Sequence, residues 1–228
     1  MFGLDDWVAG FSDGTTLLVV AVVAVVLGLR HATDPDHLAA VTTLVAGGRG
    51  RGAARLGAVW GVGHAASLFA FGVPVVLWRT YLPEPVQRDA ETAVGVMIVL
   101  LALSLLARTR HRHVHVHEHG GERHSHGART PWQAFVVGLL HGMGGTAGVG
   151  VLLLASIANH ALAIAALAIF AVCTALSMSV VSAGFGAVLS RPRSRRLFGR
   201  AAPVLATLSL AFGVWYALGA QQLVPYVL

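Results

Sequence analysis

The residues spell an all-α, polytopic membrane protein: six transmembrane helices in a single domain over residues 1–228, arranged as a 3+3 inverted repeat. Hydrophobic residues make up 56% of the chain and charged ones only 11%, where a soluble domain carries about a quarter charged. Six apolar runs are long enough to cross a bilayer, which takes roughly 20 helical residues. They are continuous rather than alternating, and in lipid only helices and closed barrels satisfy the backbone, so they read as helices. The basic residues number 16, all of them arginine, and they gather in alternate loops.

The spans fall at about 15–47, 56–82, 90–108, 132–157, 161–189 and 201–224. The first is too long for one straight crossing. Pro35 lies inside it and removes a backbone donor, so a kink or break is expected there. The loop after the first span holds Arg49, Arg51 and Arg55. That after the third holds Arg108, Arg110, Arg112, Arg123 and Arg129. That after the fifth holds Arg191, Arg193, Arg195, Arg196 and Arg200. The opposite side has Arg79 and Arg88, offset by Glu84, Asp89 and Glu91. Arginine-rich loops stay in the cytoplasm, so a multi-pass protein of the cytoplasmic membrane is expected, with both termini outside. The sequence pI near 11 then reflects membrane orientation and the lipid bilayer as partner, not nucleic acid. The acidic start "MFGLDDWVAGFSDG" is not expected to be a cleaved signal, which begins basic. The one cysteine, Cys173, sits inside an apolar run and says nothing of redox compartment.

"LRHATDPDH" (29–37) stands against this background. It follows an uncharged apolar run and is followed by "LAAVTTLVAGG", so it is embedded in a span rather than ending one. Ionisable groups at such depth are costly and line functional cavities. At a rise of about 1.5 Å per residue, His37, His64 of "WGVGHAAS" and His141 of "GLLHGMGG" each lie about ten residues from the cytoplasmic side, near one depth on three helices. His31, Asp34 and His37 are spaced to share one helical face, and a kink at Pro35 swings Asp36 toward them. A lone intramembrane histidine commonly bonds helix to helix. Imidazoles together with a carboxylate suit divalent nickel, cobalt, zinc or copper, and the lack of a nearby thiol argues against Cu(I). Arg30 is placed to pair with Asp34 at i+4, which leaves Asp36 as the favoured carboxylate ligand while Asp34 either ligates or balances Arg30. The candidate metal residues are therefore His31, Asp34, Asp36, His37, His64 and His141.

Two further features bear on function. "GLRHA" (28–32) and "GLLHG" (138–142) lie 110 residues apart, and at the same offset "HAAS" (64–67) meets "TALS" (174–177). Span one runs inward and span four outward, so the repeat is inverted, a transporter design that places the site near the midplane. The loop 109–130 includes "HRHVHVHEH" and holds seven of the 12 histidines. It reads as a solvated cytoplasmic segment whose clustered imidazoles bind divalent metals weakly.

"RHATDPDH" resembles the His-x4-Asp-His signature of the nickel/cobalt transporter family at Arg30, His31, Asp34, Asp36 and His37, and "GVGHAAS" resembles its next-helix motif at His64. The resemblance covers the first two spans. It implies a secondary permease for Ni²⁺, with Co²⁺ as second candidate, in which His31, Asp36 and His37 are essential. The ion is then cargo, with no resident cofactor and no catalytic residue. The chain departs from long family members in lacking their first span and their later acidic motifs: "GLLHGMGGTAG" and "FAVCTALSMS" stand in their place. It looks closer to the short urease-accessory branch. That implies uptake, with delivery to the maturation of a nickel enzyme such as urease or hydrogenase. Efflux of the same ions is the first rival, since the six-span exporters share a histidine-rich loop. An intramembrane zinc hydrolase is less favoured because no HExxH occurs. A metal-sensing scaffold, in which the cluster only staples helices, is the third.

Overall fold

The computed structural model describes residues 14–44, 51–79, 83–111, 130–144 and 147–225. Eight helices occur among them: α1 (Gly14–His31), α2 (Pro35–Leu44), α3 (Arg51–Trp78), α4 (Glu84–His111), α5 (Pro131–His141), α6 (Ala147–Ala155), α7 (His160–Ser190) and α8 (Pro192–Ala220). Four of these, α3, α4, α7 and α8, are long and apolar enough to cross a membrane, and α1 with α2 makes a fifth candidate if the bent pair counts as one span. The run read as a fourth span is two short helices, α5 and α6, so an unbroken helix over 132–157 is not what forms. Leucines and valines such as Leu18, Val26, Leu100, Leu176 and Val180 stand exposed on outer faces, the side chains a lipid phase would cover.

The break in the first run has a local cause. Thr33 and Asp34 close tight turns, their N–H groups reaching the carbonyls of Arg30 at 2.9 Å and His31 at 3.1 Å. Pro35 has no N–H to give and therefore starts a helix well rather than continuing one. α2 leaves α1 at 54°. Of the kink or break expected at Pro35, a full break is what forms. The expectation that His31, Asp34 and His37 share one face of a continuous helix is overturned with it: His31 ends α1, whereas His37 lies in the first turn of α2. The arginines from 193 to 200 are not a loop either. They form the first turns of α8, and Arg191 alone joins α7 to α8. Arginine interrupts hydropathy without opposing a helix, which is why composition misplaced that boundary.

α3 and α7 form the centre and run antiparallel. A Cβ built on Gly61 would lie 2.8 Å from the Ala175 carbonyl, one on Gly72 would lie 2.9 Å from Leu167, and at the far end Arg79 donates to the Ala158 carbonyl at 2.5 Å. At Gly61 the obstruction is backbone, so a side chain there would hold the two helices apart. α1 lies along α7 and α5 lies along α3, while α4 and α8 pair with each other at the side. The apolar core has two main parts and a smaller one of Leu105, Ala202 and Ala206 between α4 and α8. One part gathers Val41 and Leu44 of α2 with Trp60, Met97, Val137 and Met178; the other gathers Val151 and Leu154 of α6 with Ala24, Leu68, Leu167 and Phe170. Between them, on α3, sits His64.

α5 begins with a capping box: the Thr130 hydroxyl accepts from Gln133 N–H, and the Gln133 side chain accepts from Thr130 N–H. This fixes the start of a helix only 11 residues long, and so fixes where its last residue, His141, ends up. The loop 109–130 lies mainly outside the described residues, as does the histidine run within it.

Candidate metal site

Four buried histidines and two buried aspartates meet where α1, α2, α3 and α5 converge. His37, His64 and His141 are fully buried, and His31, Asp34 and Asp36 nearly so. His37 is the hub: its ring centroid lies 4.2 Å from that of His141, 4.5 Å from His31 and 5.1 Å from His64. Two ligand groups share it. His31, His37 and His64 form one, and Asp36, His37 and His141 the other; within each, one ligand atom per residue lies within 4.8 Å of the rest.

The carboxylates orient the rings. Asp36 Oδ1 accepts from the His37 backbone N–H at 2.9 Å and from His37 Nδ1 at 3.1 Å, and Asp36 Oδ2 accepts from His141 Nε2 at 3.0 Å. His31 Nδ1 donates to Asp34 Oδ2 at 3.1 Å, which turns His31 Nε2 to face His64 Nε2 at 3.2 Å. A histidine whose Nδ1–H is held by a carboxylate presents its Nε2 lone pair, the form that ligates a metal. Two imidazole nitrogens so close have two uses: one donates to the other, or both ligate a common cation. His37 Nε2, His64 Nδ1 and His141 Nδ1 make no hydrogen bond among the described residues, although all three are buried. Buried polar atoms without partners are uncommon and ask for a ligand or a functional reason.

All six sequence-derived candidates therefore lie in one place, but with unequal roles. Asp34 belongs to neither ligand group. It sits behind His31 and reaches Arg30 at 4.0 Å, so it serves both the pairing with Arg30 and the orientation of His31. Asp36 is the carboxylate inside the cluster. The donors are nitrogen and oxygen, a set that suits borderline divalent ions.

Sequence reasoning missed the aromatic walls. Trp60, fully buried, holds its ring 5.7 Å from His37 and 5.8 Å from His141. Phe170, equally buried, lies 5.7 Å from His31. Trp60 was detectable: it precedes His64 by four residues and so shares its helical face.

Part of the chain has a curated relative. The urease accessory protein UreH of Bacillus sp. (strain TB-90) is 32% identical over 87 residues, which is 38% of this chain and 38% of that protein. The match thus spans well under half of the relative's length. No family model matches the chain, and no solved structure does.

Proposed function

We propose that the chain is a secondary transporter carrying Ni²⁺, with Co²⁺ as second substrate, across the cytoplasmic membrane in the direction of uptake. The observation that carries this reading is the buried cluster joined at His37, with ligands on α1, α2, α3 and α5. Ionisable groups this deep in an apolar helical protein mark an ion pathway. The ion is cargo: His31, Asp36, His37, His64 and His141 hold it, Asp34 orients His31, and the protein performs no catalysis. The partial likeness to a urease accessory protein supports nickel and a link to maturation of a nickel enzyme.

The 3+3 inverted repeat is part of the same reading, and packing at an offset of 110 residues supports it. A Cβ on Gly28 would meet Phe170, Cys173 and Thr174; one on Gly138 would meet Trp60, Gly63 and His64. Each position in the second set lies 110 residues from its counterpart in the first. His31 and His141 end α1 and α5 at that same offset. On this basis α5 and α6 together make the fourth of six spans, the termini face outside and the histidine-rich loop faces the cytoplasm, where it buffers ions that have entered. Alternating exposure of a midplane site between related halves then moves the ion.

The deciding experiment is ⁶³Ni accumulation in cells expressing the wild type, His37→Ala, or a chain without residues 111–126. Accumulation by the wild type and by the loop deletion, lost in His37→Ala, is the expected result. A wild type that lowers cell nickel reverses the direction to efflux. Equal counts in all three and in empty cells overturn transport.

A further inference from the structure

Trp60 and Phe170 occupy matching places on opposite sides of the cluster. They are 110 positions apart, on the antiparallel pair α3 and α7. Trp60 lies one turn from His64 toward the Arg51 end of α3 and packs in the core part built on α2. Phe170 packs with Leu68, one turn from His64 toward the Trp78 end, in the core part built on α6. Each ring faces a histidine that ends a short or broken helix: Trp60 faces His141, and Phe170 faces His31. Those histidines too are 110 positions apart. Along α3 one of these rings thus lies on each side of the cluster, with apolar residues packed behind it.

We propose that Trp60 and Phe170 are the two gates of the transport site, one for each membrane face. Apolar constrictions close a pathway by excluding water, and no bond need break to open them. The Trp60 Nε1–H has no hydrogen-bond partner among the described residues, so nothing polar anchors that ring. Phenylalanine has no polar atom to anchor. The inference rests on the transport reading, and it adds that access to the two faces is controlled by different residues. On this proposal the rings, seated against His141 and His31, close the site toward each face.

Sidedness is the readout that a merely structural role would not move. In a Cys173→Ala background, His64→Cys places a thiol in the cluster, and its rate of reaction with a membrane-impermeant thiol reagent is measured in right-side-out and inside-out vesicles. Phe170→Ala is expected to raise that rate roughly tenfold from the face at the Trp78 end only, and Trp60→Ala from the face at the Arg51 end only, as removal of a dewetted constriction requires. Trp60→Leu and Phe170→Leu, which keep an apolar filler, stand in if an alanine variant is not monodisperse, with the same opposite sidedness at smaller size. Acceleration from the same face in both, or by more than twofold in neither, overturns the gates. ⁶³Ni flux through chains with His64 intact separates the two ideas. Flux with unsided labelling keeps transport and discards the gates; sided labelling without flux keeps the gates and discards nickel transport.

Discussion

Asp36 Oδ2 and His141 Nε2 lie 3.0 Å apart, though 105 positions separate the residues. One stands in the first turn of α2, the other is the last residue of α5. This bond completes the ligand group formed by Asp36, His37 and His141 and ties the first half of the chain to the second. The site is therefore a property of both halves in contact. Asp36→Asn and His141→Ala should each weaken Ni²⁺ binding, and the double variant should lose less than the sum, with a coupling of about 1–3 kcal/mol. Titration of purified protein lacking residues 111–126 checks this. Additive losses would mean that the two groups act on separate ions.

Asp34→Asn tests orientation as distinct from ligation. Asp34 touches His31 Nδ1 but belongs to neither ligand group. Removing a carboxylate behind a ligating histidine weakens metal affinity about 10- to 100-fold. Asp34→Asn should fall in that range, and Asp36→Asn should cost more because a donor itself is altered. The same titration decides; equal losses would make Asp34 a ligand.

The candidate site was legible because its cost is written in the sequence. Two aspartates and two histidines beside an uncharged run at 15–28 have few explanations other than function. Depth alone brought His64 and His141 to the same level. Hydropathy could not reveal that the helix stops at His31, since the turns at Thr33 and Asp34 are set by backbone bonding rather than apolarity. Nor could it tell that 193–200 is helical. Trp60 and Phe170 were overlooked for a related reason: an aromatic residue in an apolar span reads as core, and only its position beside a histidine ring gives it a second role.

Acid should weaken binding. Every imidazole in the cluster must be neutral to ligate. Protons and Ni²⁺ compete for the same lone pairs, so affinity falls as the rings take up protons. With more than one imidazole in each ion's shell, the dissociation constant should rise at least about tenfold between pH 7.5 and 4. The measurement is nickel titration across that range on protein without residues 111–126, so that loop histidines do not contribute. A flat profile would exclude histidine as the main donor.

Two glycines set the distance at which the cluster closes. A Cβ on Gly138 would lie 2.8 Å from the His64 backbone nitrogen and against the Trp60 carbonyl; one on Gly28 would lie 2.7 Å from the Phe170 carbonyl. The obstruction in both cases is backbone, which cannot rotate away as a side-chain tip can. Gly138→Ala must push α5 from α3 and carry His141 away from His64, and Gly28→Ala must push α1 from α7. Overpacking of this kind costs about 1–3 kcal/mol. Gly184, by contrast, has open space around a built Cβ, so Gly184→Ala should be neutral or stabilising by up to about 1 kcal/mol through helix propensity. Thermal unfolding in detergent should therefore rank Gly184→Ala at or above the parent and both Gly28→Ala and Gly138→Ala below it. Nickel affinity should fall with them, because the ligands ride on the helices that separate. Stability lost without affinity would show that the ligands of α2 and α3 suffice and that the approach of α5 serves packing alone.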